Sequence, residues 1–344
     1  MALFAFALCG ALLALESGAT AIDAAPSGPA ATACQWRQLA DNVPRSDPIL
    51  VPLPPIENAV LAFGGRSGAS LSSPVMSDTW RLSLGVGSQG AWNLVPASGE
   101  APGPRVGHAG ALRETTLGFE LVTYGGYDGV PIIDLVSDRA GDGAPMGLAA
   151  GASPQHPLGV RRETHAQGPM GGWRELDADQ ATARAGHAAL YWAARDWLLS
   201  FGGVNWEERV VTSDTLRLAL GTEVHTWTEL VTAGDGPSAR LGHTVVYDEF
   251  NDQAVVFGGT PDETVGLADV WLLSLGGDIP TWSAAATTGP APVGRFDHVA
   301  VYLPAAHAMV VFGGTTDGSD ELGDAHLLDL SADPPAWSPL VATG

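Results

Sequence analysis

The feature that most constrains this chain is a fivefold internal repeat. An arginine opens each unit, at Arg45, Arg105, Arg184, Arg240 and Arg295, with spacings of 60, 79, 56 and 55 residues. An aromatic residue followed by two glycines keeps step with it, at Phe63-Gly64-Gly65, Tyr124-Gly125-Gly126, Phe201-Gly202-Gly203, Phe257-Gly258-Gly259 and Phe312-Gly313-Gly314. A period of this length means that no unit can bury its apolar face alone, so neighbouring units must stack, as in a propeller or a solenoid.

The pattern inside a unit reads as strands. Thr244 to Tyr247, a polar turn and Ala254 to Phe257 make a hairpin. The paired glycines stop its second strand, because residues without Cβ accept the crowded or positive-φ backbone of a tight exit. A third strand alternates, with Trp271, Leu273 and Leu275 on one side; Trp80, Leu82 and Leu84 and then Leu216, Leu218 and Leu220 repeat it. The fourth strand carries Trp with Leu close behind, as in Trp227 to Leu230 and Trp337 to Leu340. Four short antiparallel strands per repeat describe a propeller blade.

These residues resemble the kelch repeat, whose hallmarks are the double glycine after the second strand and spaced aromatics in the third and fourth. The resemblance implies an all-β, kelch-type β-propeller over residues 36–344, with units starting near 45, 105, 184, 240 and 295. Such propellers include binding modules, sugar-active enzymes and scaffolds, so the fold alone licenses no activity. Trp36-Arg37-Gln38-Leu39 matches a fourth strand before any full unit has begun. In this family such a strand completes the blade built from the other end of the chain. Ala342-Thr343-Gly344 falls where a further unit should open, so the expectation is a six-bladed ring that is C-terminally incomplete.

Two units depart from the pattern. In the first, Ser46-Asp47 is read as replacing Gly-His. In the second, the third strand is expected around Ile132 to Val136, and residues 141–172 read as an insertion that forms a surface loop.

Met1 to Leu15 carries no charged side chain and is followed by Ala19-Thr20-Ala21, which reads as a signal peptide over 1–21 and a secreted or periplasmic product. Residues 22–35 read as a flexible leader. Cys9 would leave with the signal, so Cys34 stays alone and no internal disulfide is possible. The net charge is −22 and all 16 basic residues are arginines. That field repels phosphate backbones and anionic lipid, which disfavours nucleic acid and membrane surfaces and is compatible with cationic partners.

Residues that recur from unit to unit serve the repeat. His108, His187, His243 and His298 are therefore expected to hydrogen-bond turn backbone, Asp78, Asp214, Asp269 and Asp324 to bond turn N–H groups, and Trp36, Trp92, Trp173, Trp227, Trp282 and Trp337 to pack between blades. The loops after the paired glycines differ from unit to unit and gather on one face. Arg66, Tyr127, Asp128, Asn205, Trp206, Glu207, Asp262 and Asp317 are the candidate binding residues there, for a protein or glycan ligand. Trp206 is read as exposed.

The resemblance also raises the family's copper oxidase chemistry, which needs a Cys-Tyr crosslink. Here Tyr191, Tyr247 and Tyr302 are repeat-equivalent and Cys34 lies in the leader, so that site cannot be assembled. No zinc-ligand spacing, nucleophile motif or phosphate loop is present, and no cofactor is expected. A sugar isomerase or lyase in the central channel is the alternative to a binding module.

Overall fold

A computed structural model describes residues 46–53, 59–68, 73–83, 91–128, 161–168, 171–179 and 182–340. Within them the chain forms five four-stranded antiparallel blades. Blade 1 comprises Ile49–Pro52, Ala59–Phe63, Thr79–Ser83 and Ala91–Val95. Blade 2 comprises Ala109–Thr115, Gly118–Tyr124, Thr164–Gln167 and Gly172–Leu176. Blade 3 comprises Ala188–Trp192, Trp197–Phe201, Thr215–Ala219 and His225–Glu229. Blades 4 and 5 repeat the plan from Thr244–Asp248 to Thr281–Ala284 and from Val299–Leu303 to Ala336–Leu340. First strands of successive blades face one another, so they line a common axis. The expected signal peptide and leader, Trp36 to Leu39 and the last four residues lie outside the described residues.

The core lies in the seams between blades. Tyr124, Val122 and Ala166 of blade 2 pack on Leu198, Leu218 and Trp227 of blade 3. Phe201 and Leu199 meet Leu273 and Trp282 in the next seam, and Phe257 and Val255 meet Leu328 and Trp337 in the one after. Four of the five aromatics before the paired glycines are held by a Trp of the following blade, with ring centroids 4.9 Å apart for Phe63 and Trp173, 4.4 Å for Tyr124 and Trp227, 5.3 Å for Phe201 and Trp282 and 5.1 Å for Phe257 and Trp337. The repeat is thus a device for making one seam again and again. A second device closes the outer edges: after each fourth strand the chain runs parallel to the fourth strand of the next blade, as Ser98 and Gly99 do beside Gly172 and Trp173. Ala178–Asp179, Ala233 and Thr288 do the same in later blades. Covered edges leave few strand N–H and C=O groups open to pairing with another chain.

Several expectations need correction. The third strand of blade 2 is Thr164–Gln167, paired with both Gly118–Tyr124 and Gly172–Leu176. Residues 132–136 lie outside the described part, and the long excursion therefore separates the second and third strands instead of following the third. In blade 1 it is Asp47-Pro48, not Ser46-Asp47, that takes the Gly-His place. Asp47 has φ 53, matching Gly107, Gly186 and Gly242 at 62, 65 and 63, and Pro48 sits over Gly65 as His108 sits over Gly126.

Ser200 marks a local weakness in a seam. It is 1% exposed and its hydroxyl has no hydrogen-bond partner, whereas Val256 and Val311 fill the same register in blades 4 and 5. Burying an unpaired hydroxyl costs about 1–3 kcal/mol. Ser200→Ala is expected to raise stability by about 1 kcal/mol in a denaturant titration; a loss would mean that the hydroxyl finds a partner.

Candidate functional site: the loop face and the channel mouth

The loops after the paired glycines are rooted by buried arginines. Arg240, fully buried, donates from Nη1 to the Gly258 carbonyl at 2.8 Å and to Asp269 Oδ1 at 2.7 Å, and from Nη2 to Asp269 Oδ2 at 2.8 Å. Arg184 with Gly202 and Asp214, and Arg295 with Gly313 and Asp324, repeat this fork. Asp214, Asp269 and Asp324, which open third strands, thus clamp arginines, while Asp78 accepts from the Trp80 indole N–H. A planar guanidinium facing a carboxylate makes two parallel, charge-assisted bonds, which fixes the loop root in direction as well as distance. In blade 2 Arg105 reaches the Gly125 carbonyl at 3.1 Å, and Glu163 takes the place of the aspartate. The glycine after the clamp has no room for a side chain: a Cβ on Gly259 would lie 2.8 Å from His243 Cβ and 2.9 Å from the Leu241 carbonyl, and its φ is +93.

The loops turn on short side chains. Asn205 Oδ1 accepts from the Glu207 and Glu208 N–H groups, and Thr260 Oγ1 and Thr315 Oγ1 do the same for Glu263 and Gly318. The candidate residues divide accordingly. Arg66, Tyr127 and Asn205 are 2%, 8% and 7% exposed, so they build the loops and do not extend from them. The Arg66 guanidinium lies over the Tyr127 ring, 5.9 Å from its centroid. Trp206, read from sequence as exposed, is half-buried and packs on the layer formed by Val106, Tyr127, Ala183, Ala185, Val204 and Leu241 beneath the loops. Asp128, Glu207 and Asp317 are exposed, and Asp262 nearly so. Asp128 pairs with Arg161 at 2.6 Å, across the two ends of the excursion in blade 2. Asp262 and Asp317 accept from Thr264 and Ser319, which holds both carboxyls below their usual range.

Sequence reasoning missed the mouth of the channel. Backbone bonds run around it from Gly107 to Gly186, Gly242 and Asp297, at 2.8 to 2.9 Å. Glycine at three of these positions leaves the mouth open; Asp47 and Asp297 put carboxyls there instead. Asp297 Oδ1 comes within 2.6 Å of where a Cβ on Gly242 would stand. Asp297 is open to the channel yet enclosed by protein, and burial, then Asp47 and Glu263, push its carboxyl up to about 7. Burial also raises Asp47 and Glu263. The signal was present in the sequence as two departures from Arg-x-Gly-His, but only an unshifted alignment of the first unit reveals both.

Among the described residues no group of three His, Cys, Asp or Glu is arranged to hold a metal ion, and no helix is long and apolar enough to cross a membrane.

A family model described as the KLHDC2/KLHL20/DRC7 kelch-repeats domain matches residues 186–344. Adagio-like protein 3 of Oryza sativa subsp. japonica is 28% identical over 299 residues, which cover 84% of this chain and 41% of the relative. Dynein regulatory complex subunit 7 of Chlamydomonas reinhardtii is 32% identical over 168 residues, 47% of this chain and 14% of the relative. The chain thus spans less than half the length of these curated relatives. The solved structure of YjhT matches with a TM-score of 0.61 at 15% identity, over 88% of this chain and 87% of that one, a likeness of fold.

Proposed function

This chain is a kelch-repeat β-propeller, and from that premise we propose that it is an interaction module whose loop face holds a protein partner. The observation that carries the reading is the contrast between identical roots and different tips. Arg184, Arg240 and Arg295 fix their loops with the same fork, while the exposed tips differ in every blade. A scaffold that is uniform below and variable above is what partner selection requires. The exposed carboxylates of Asp128, Glu207, Asp262 and Asp317 favour a partner with a cationic surface. We extend the proposal to export, supported by the apolar Met1 to Leu15 and Ala19-Thr20-Ala21, with N-terminal sequencing of the mature protein as its test.

The experiment is a pull-down with the full chain, followed by binding of the captured protein to charge-reversed variants. Asp262→Lys with Asp317→Lys is expected to weaken binding tenfold or more while changing stability by less than about 0.5 kcal/mol, as for surface substitutions. Undiminished binding would exclude the face. Trp206→Ala is expected to lower both affinity and stability, because the ring also packs on the layer beneath.

One observation favours the second reading, a carbohydrate-active enzyme. Asp47, Asp297 and Glu263 are unrepeated titratable groups at the channel mouth, and a carboxyl held near neutrality is suited to proton transfer. A glycan turnover screen tests it; activity that survives Asp297→Asn would rule out this carboxyl as the proton carrier.

A further inference from the structure

The histidine third after the unit arginine places an imidazole in a seam between two blades in four units. His108 lies edge-on to Phe63 of the preceding blade at 5.3 Å, His187 to Tyr124 at 5.0 Å, His243 to Phe201 at 5.0 Å and His298 to Phe257 at 5.2 Å. All four are buried. The expected bonds to turn backbone are absent: neither ring nitrogen of His108, His187 or His243 has a partner. The Phe63, Tyr124 and Phe201 carbonyls lie near enough to favour protonation, without a hydrogen bond of normal geometry. Only His298 is bonded, with Nε2 2.8 Å from Thr244 Oγ1.

The charged surroundings are almost all of one sign. Arg105 faces His108; Arg184 and His108 face His187, with Asp214 as the one acid; Arg240, His187 and His298 face His243; Arg295 faces His298. A proton on any ring would bury a cation beside an arginine, and at His108, His187 and His243 no well-formed hydrogen bond stands ready to accept its N–H groups.

We propose that these four imidazoles make the propeller acid-opened: the seams hold only while the rings are neutral, so mild acid separates the blades and dismantles the loop face. The inference is independent of which partner that face holds. Burial first, then the neighbouring arginine, pushes His108 and His298 down to about 3 and holds His187 and His243 well below 6.5. A base whose folded value is depressed contributes nothing above its unfolded value and opposes folding as the pH drops below about 6.5. His165, lowered to about 4 by burial and Arg105, adds to this. Asp297 opposes it, since the folded protein keeps that proton up to about 7, and Asp47, Glu263 and Glu175, raised by burial, act in the same direction. The arginine clamps do not contribute in this range. Asp214, Asp269 and Asp324 are held below 3.8, Asp324 at about 2, so the stability they supply is present above 3.8 and fails only as the pH falls through the folded values.

The test is a series of denaturant titrations of the full chain between pH 7 and 4, read by tryptophan emission and near-ultraviolet circular dichroism. Five imidazoles less Asp297 set an upper limit of about four protons taken up on unfolding across this range, which the raised Asp47, Glu263 and Glu175 carboxyls reduce; the slope of stability against pH reads the count. His187→Gln with His243→Gln should lower the uptake by about two and move the acid midpoint down by about half a pH unit or more. If that variant does not fold, the wild-type count decides alone. An uptake of one proton or fewer, an unmoved midpoint, or a native signal that persists to pH 3.5 would overturn the proposal.

Discussion

Arg240→Ala is expected to destabilise the propeller by about 2–4 kcal/mol, from the void left by a large buried side chain and from a buried carbonyl that loses its donor. The side chain is fully buried and makes five hydrogen bonds, to the Gly258 carbonyl, to both Asp269 oxygens and to the Ser238 carbonyl and hydroxyl. Its loss takes the donor from the Gly258 carbonyl, leaves the Asp269 carboxylate the Trp271 indole N–H in place of the guanidinium fork, and opens a void under the loop of blade 4. Arg240→Lys should recover little of this, because a single ammonium cannot present two parallel donors. Asp269→Asn should cost less, about 1–2 kcal/mol, since that side chain is 40% exposed and water can replace part of what is lost. Urea titration at pH 7 measures all three. A cost under about 1 kcal/mol for Arg240→Ala would show that the loops hold without the clamp.

Trp282→Ala should be comparably severe, about 3–5 kcal/mol for a buried Trp cut to Ala. The indole is 5% exposed and stacks on Phe201 across the seam between blades 3 and 4. Its backbone is also held, with its N–H donating to the Ala233 carbonyl at 2.8 Å. The substitution removes packing on both sides of one seam and leaves the other seams intact, so unfolding should lose cooperativity as well as midpoint. The same titration followed by far-ultraviolet circular dichroism checks it; a cost of less than about 1 kcal/mol would mean that the seam collapses around the gap.

The sequence by itself determined the blade. Its strands are local, their alternation is visible in runs such as Trp271, Leu273 and Leu275, and the paired glycines and spaced tryptophans mark where each begins and ends. It also separated repeat residues from the variable loops, because repetition is a property of the string. What those repeated residues bond to was decided by contacts between distant residues. Asp269 meets Arg240 from 29 positions away, so its partner could not be found in its own turn. The seam imidazoles likewise face the preceding blade, and a local rule that assigns histidine to turn backbone misses that surface. The third strand of blade 2 was misplaced because Thr164-His165-Ala166-Gln167 lacks the large apolar alternation of its siblings. Only pairing with Gly118–Tyr124 identifies it. Burial separated Arg66, Tyr127 and Asn205 from the exposed loop tips. Finally, Asp47 and Asp297 are far apart in sequence, and it is the curvature of the propeller around its axis that encloses Asp297 and brings the like charge of Asp47 within reach, so that burial first and then that charge raise Asp297 toward neutrality.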